Sequence, residues 1–343
     1  MLFKRICATI AFLALPLESI YAASPYQLVV FGDSLSDNGN AAAALASVGQ
    51  TLGNYVPNAL TDGPHTSPAT AGPYGLWIDQ FAKILVASDP QPFVVFTPFG
   101  KSGGTLSANP SGTNFAVASA LAGNNPNFSP TNYLKPGNTQ VPGTTNQVQL
   151  YLSFNGQHAS PNNLYVFWAG ANNIYQSIDS VSTFFEFPSL ATSAADAIAG
   201  NIATLASAGA KYFLWLNLPP LGQVPYVNDN PSRLVRDLGK DAADGAALVF
   251  NDRLASDVAS LTKNYGIEVI VVNTNSLFNS IVSNPGHYGF VNVKDAGWCG
   301  TDGVETCALD NPNGFLFWDE LHPTTAADEV LAQFVYSYVA GVF

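Results

Sequence analysis

Four short apolar runs, at residues 27–31, 163–168, 212–216 and 268–273, stand far apart with helix-spaced segments between them. Each is too short for a buried helix and too uniformly apolar for a strand with one wet face. Such alternation specifies a parallel sheet covered on both sides, not an all-β sandwich. A further strand is expected at 114–117, and helices at 41–47, 75–86, 190–207, 232–264 and 325–338. In the last of these, Val330, Phe334 and Tyr338 recur at spacing four and share a face.

Between the elements lie stretches rich in Gly, Pro, Asn, Ser and Thr at 55–74, 98–141 and 284–314. Loops this long are usually functional or mobile. No internal repeat or clean linker divides the chain, so residues 24–343 are read as one domain with long loop insertions. Residues 1–23 carry Lys4 and Arg5, an apolar stretch from Ile6 to Leu17, and small residues at the exit. That order describes a secretory signal peptide, and the apolar part falls short of the roughly 20 residues that span a bilayer. A secreted or periplasmic protein is expected, with no transmembrane segment in its mature chain.

Export bears on the cysteines. Cys7 leaves with the leader, and Cys299 and Cys307, close together in one loop, suit a disulfide. A zinc site there lacks further ligands. Only 10% of residues are charged and the net charge is -12, a balance that repels nucleic acid and strongly anionic membranes.

The first apolar run ends in Val29-Val30-Phe31-Gly32-Asp33-Ser34, and an alanine-rich segment follows. This places a serine at the carboxyl end of a buried strand, just before a helix. Near the other end, Asp319-Glu320-Leu321-His322 offers an imidazole with a carboxylate one turn earlier. A serine is a weak nucleophile that needs a base, and the base needs an orienting group; Ser34, His322 and Asp319 supply the three parts. An oxyanion would need donors. The Ser34 N–H and the Asn172 amide, after the run Leu164-Tyr165-Val166-Phe167-Trp168, are candidates, and so is an N–H within Gly112-Thr113-Asn114-Phe115-Ala116-Val117-Ala118-Ser119.

These motifs, in this order, resemble the GDSL-type SGNH hydrolases, in particular the branch of secreted lipases, phospholipases and acyltransferases. Gly32-Asp33-Ser34-Leu35-Ser36-Asp37 matches the first family block, Gly112–Val117 the second, Gly170-Ala171-Asn172 the third and Asp319-x-x-His322 the fifth, while Asn217-Leu218-Pro219-Pro220-Leu221-Gly222 is also familiar in that branch. The resemblance implies a flavodoxin-like three-layer α/β/α sandwich with a parallel sheet of about five strands. It implies Ser34 as nucleophile and oxyanion donor, Asn172 as side-chain donor, His322 as base and Asp319 as its orienter. Relatives carry two glycines where this chain has Ala118-Ser119, and a main-chain N–H survives that change. Ser119 is the expected backbone donor, with Ala118 the alternative.

Gly100-Lys101-Ser102-Gly103-Gly104 fits a Gly-x-Ser-x-Gly elbow, but Pro98 interrupts the approach and 103–110 is a poor helix former. His65, His158 and His287 lack metal-ligand spacing. No cofactor motif is present, so a cofactor-independent ester hydrolase acting on a lipid or small-molecule ester is expected. A lipase or (lyso)phospholipase leads, with a carbohydrate acetylesterase or an acyltransferase as alternatives. A non-catalytic glycan-binding protein, which 12% aromatic residues would suit, is disfavoured by the intact Ser34, Asn172, Asp319 and His322 set.

Overall fold

The computed structural model describes residues 27–49, 75–98, 104–135, 140–297 and 312–340. The expected signal peptide, Cys299, Cys307, His65 and Ser102 lie outside the described residues. The strands are β1 (Leu28–Gly32), β2 (Val94–Pro98), β3 (Gly104–Ala108), β4 (Leu164–Trp168), β5 (Tyr212–Leu216), β6 (Glu268–Val272), β7 (Asn292–Ala296) and β8 (Phe315–Phe317). The helices are α1 (Asn40–Ala46), α2 (Trp77–Ile84), α3 (Pro130–Tyr133), α4 (Thr144–Phe154) and α5 (Ala171–Tyr175). After them come α6 (Phe187–Ser207), α7 (Pro225–Asn228), α8 (Arg233–Tyr265), α9 (Thr274–Ser283) and α10 (Thr325–Val339).

The main sheet is parallel, in the order β1-β4-β5-β6. Four strands stand where about five were expected: beyond β1, residues 113–117 run alongside it in parallel, joined by an isolated bridge between Val30 and Asn114. The Val30 N–H donates to the Thr113 carbonyl at 2.8 Å, and the Phe115 N–H donates back to Val30 at 2.8 Å. On its other side the same segment is bridged to Pro92, the Asn114 carbonyl accepting from the Phe93 N–H at 2.9 Å. With it the order is that of a flavodoxin-like sheet. On one side α6 packs on α8 and α4 on α6; on the other, α2 and α9 pack on α10. The result is a three-layer α/β/α sandwich.

Every residue of β1 and β4 is buried, as unbroken apolar runs require. An aromatic row crosses the sheet: Phe93 stacks on Phe115, Phe115 on Phe31 and Phe31 on Phe167, with centroids 4.6, 5.7 and 5.0 Å apart. Each buried ring contributes about 1.5–3 kcal/mol by leaving water.

One feature departs from the sequence reading and another refines it. Part of the stretch expected to be irregular forms the antiparallel hairpin β2–β3, so the residues flanking Ser102 are two strands, not the strand and helix an elbow needs. In α10, Val330, Phe334 and Tyr338 do share a face, but it is half-buried; Ala327, Leu331, Val335 and Val339 form the buried one.

Candidate active site

Gly32 ends β1 with its main chain pressed against β4. A Cβ there would lie 2.5 Å from the Trp168 carbonyl oxygen, so only glycine allows the approach. Gln147 of α4 grips the same residue twice, accepting the Gly32 N–H at 2.9 Å and donating to its carbonyl at 2.8 Å. The chain then turns: the Asp33 carbonyl accepts from the Ser36 N–H, and Asp33 Oδ1 accepts from the Leu35 N–H, both at 3.1 Å. Ser34 sits on this turn.

His322 comes from the loop between β8 and α10. The Trp318 N–H donates to the His322 carbonyl at 2.8 Å and closes the loop. Asp319 Oδ1 accepts the Leu321 and His322 N–H groups at 2.8 and 2.7 Å. The carboxylate lies 2.9 and 2.8 Å from His322 Nδ1 through its two oxygens, and His322 Nε2 lies 2.8 Å from Ser34 Oγ. A carboxylate only accepts, so Nδ1 carries the proton and Nε2 is left to accept from the Ser34 hydroxyl. Burial opposes charge on both partners. Their mutual attraction prevails, holding Asp319 below its ordinary range and His322 above.

Of the expected oxyanion donors, Ser34 and Asn172 line the same cleft as His322. Asn172, in α5 just after β4, donates one amide hydrogen to the Ala120 carbonyl at 3.0 Å and has a second to offer. Asn173 binds Ala122 reciprocally, accepting at 2.9 Å and donating at 3.1 Å. The segment 118–122 is thereby tied to α5. The Ala118 N–H is engaged, donating to Asp37 Oδ2 at 2.8 Å. Ser119 follows with φ at +66°. Among the described residues no acceptor meets the N–H of Ser119 or of Ser34.

Sequence reasoning quoted Asp37 within a motif but missed its part. Its carboxylate accepts four N–H groups: Gly39, Asn40 and Ala41 at the start of α1, and Ala118. An acid four positions before the first alanine of the run, and two before the Gly39 cap, is the helix-start signal that would have found it. Burial raises the carboxyl above its ordinary value against those donors.

Ser34, His322, Asn172 and Asp33 open on one cleft of about 660 Å³, its mouth included. Trp168, Tyr175, Leu221, Val224, Phe278 and Phe317 make much of its wall apolar; Ser119 is not part of it. Among the described residues no group of three or more His, Cys, Asp or Glu side chains could hold a metal, and no helix is long and apolar enough to cross a membrane.

Relatives are known. An uncharacterized protein of the trpE-trpG intergenic region of Pseudomonas putida is 28% identical over 97% of this chain and 52% of its own length. The chain thus spans about half of that relative. GDSL esterase/lipase At1g71250 of Arabidopsis thaliana is 29% identical over 89% of this chain and 83% of its own. GDSL esterase/lipase At1g20120, also of Arabidopsis, is 31% identical over 38% and 34%. The match to the GDSL-like Lipase/Acylhydrolase family runs through residues 28–335, from the first residue of β1 into α10 and so across both the Ser34 turn and the His322 loop. On that extent of likeness, the chain belongs to the GDSL-like lipase/acylhydrolase family.

Proposed function

We propose that the protein is a secreted carboxylic ester hydrolase that works through an acyl-enzyme on Ser34. The observation that carries the reading is the 2.8 Å contact between His322 Nε2 and Ser34 Oγ, with Asp319 on the ring's other nitrogen. Ser34 Oγ bonds to the ester carbonyl carbon as its proton passes to His322. The tetrahedral adduct collapses, the ester C–O bond breaks, and the alcohol leaves with the proton from His322. Water then attacks the acyl-enzyme with His322 again as base, releasing the acid and restoring Ser34. The N–H groups of Ser34 and Ser119 and the amide of Asn172 serve as oxyanion donors. Ser119 takes precedence over Ala118 because the latter's hydrogen is engaged by Asp37.

The apolar wall of the cleft favours a lipase or (lyso)phospholipase substrate over an acetylated sugar, since an acetyl group leaves such a wall unused. No cofactor enters the scheme. Export rests on the leader at 1–23, and a Cys299–Cys307 disulfide would accompany it. The test is turnover of p-nitrophenyl esters of graded chain length, with acetylated sugar and phospholipid alongside. Ser34→Ala and His322→Ala are each expected to lose at least about 10³-fold in kcat while staying folded. Near-normal turnover by a folded His322→Ala variant would sink the reading, and a preference for acetyl esters would replace the lipid substrate.

A further inference from the structure

One buried carboxyl beside the reacting pair has no part in that scheme. Asp33 is 1% exposed and borders the cleft with Ser34 and His322. Its Oδ1 accepts the Leu35 N–H and its carbonyl the Ser36 N–H, so it shapes the turn that carries Ser34. A turn asks only for an acceptor, which asparagine supplies equally well. What the carboxyl adds is charge. The titratable groups acting on or acted on by Asp33 are His322 from the β8–α10 loop, Asp37 from its own segment and Tyr175 at the end of α5. His322 has two carboxylates that favour its protonated ring, Asp319 and Asp33.

We propose that Asp33 is a second positioning carboxylate for His322, one that steadies the imidazolium formed as Ser34 gives up its proton. The proposal rests on the reading of Ser34 and His322 as the reacting pair. Asp319 holds Nδ1 by direct hydrogen bonds, whereas Asp33 acts through its field in a water-poor site where charge is weakly screened. Burial pushes the Asp33 carboxyl up to about 7, with the Leu35 N–H and the charge on His322 pulling the other way. Below that pH it is neutral and contributes nothing to the ring. As pH rises through that range the charge appears, and the two titrations are coupled.

Asp33→Asn keeps the turn acceptor and removes the charge; Asp33→Ala removes both. The rate profile on a p-nitrophenyl ester is to be measured from about pH 5 to 9 for each. Asp33→Asn is expected to lose about tenfold in kcat on the alkaline plateau with KM unchanged. Its acid limb is expected to move down by about half a unit or more. A wild-type plateau and acid limb in Asp33→Asn, with Asp33→Ala alone impaired, confines Asp33 to the turn and overturns the proposal. Should Asp33→Asn fail to fold, the ¹⁵N resonances of the His322 ring in the wild-type protein decide. Two inflections across the same range support a charge appearing beside the ring, and a single inflection overturns it. An active His322→Ala variant would remove the reacting pair and this proposal together. An inert His322→Ala beside an unaltered Asp33→Asn removes this proposal only.

Discussion

With φ at +66°, Ser119 occupies a region where a side chain costs about 1 kcal/mol and glycine costs nothing. Asp37 holds the residue before it and Asn172 the carbonyl after it, so the strain is imposed by neighbours on both sides. Ser119→Gly is expected to stabilise the fold by up to about 1 kcal/mol, read as a small rise in Tm, and to leave kcat within about twofold. A large loss of activity would assign the serine side chain a part of its own. His322 sets a second expectation at this scale. Its ring must be neutral to accept a proton, and Asp319 holds it above the ordinary value of about 6.5. Activity should therefore climb with pH through a midpoint above that value. Asp319→Asn should lower the midpoint and cut kcat by about 10³–10⁴-fold, checked by a pH-rate profile.

Gly32 shows how the elements set the site. Its contact with the Trp168 carbonyl lets the end of β1 and the end of β4 converge, which brings the Ser34 turn beside Asn172. Gly32→Ala should push the strands apart, cost about 2–4 kcal/mol in urea unfolding and depress turnover together with stability. The strands that position these residues were legible because burial on both faces leaves β1, β4 and β5 as plain apolar runs, while β6 opens on the exposed Glu268 and is buried only at Val272. The hairpin β2–β3 was not, since β3 reads Gly-Thr-Leu-Ser-Ala and buries only Leu106. Nor was α4, whose buried Thr144, Asn146 and Gln147 are spent on hydrogen bonds and blur the apolar period. Ser34, Asp319 and His322 were read as candidates because a strand-end serine and an Asp-x-x-His pair are each local patterns, and the structure brings Ser34 within 2.8 Å of His322. Asp33 and Asp37 act through burial and through partners such as Ala118 and His322, which adjacency in sequence does not display.

For the whole molecule, burying Asp33 between the sheet and the cleft carries a stability cost that varies with pH. A carboxyl raised to about 7 in the fold keeps a proton that the unfolded chain releases near 4. The unfolded state therefore binds fewer protons between those values, and stability falls as pH rises through the window. Asp33→Asn removes the titration while keeping the shape. It should stabilise the protein little near pH 4 and by as much as about 4 kcal/mol above pH 7, compared by urea unfolding at the two ends. A gain that does not grow with pH would show the carboxyl to be well solvated in the fold. The same substitution is expected to slow turnover, so stability and rate would move in opposite directions.

Ser34 and His322 stand 288 positions apart, and the hydrogen bond between them joins the turn after the first strand to the loop that precedes the last described helix. An elongating chain therefore carries the hydroxyl well before it carries the imidazole. On the proposed mechanism, a fragment released before residue 322 should accordingly fail to turn over a p-nitrophenyl ester. On that mechanism, the order of the chain keeps the nucleophile apart from its base until 288 further residues have been added.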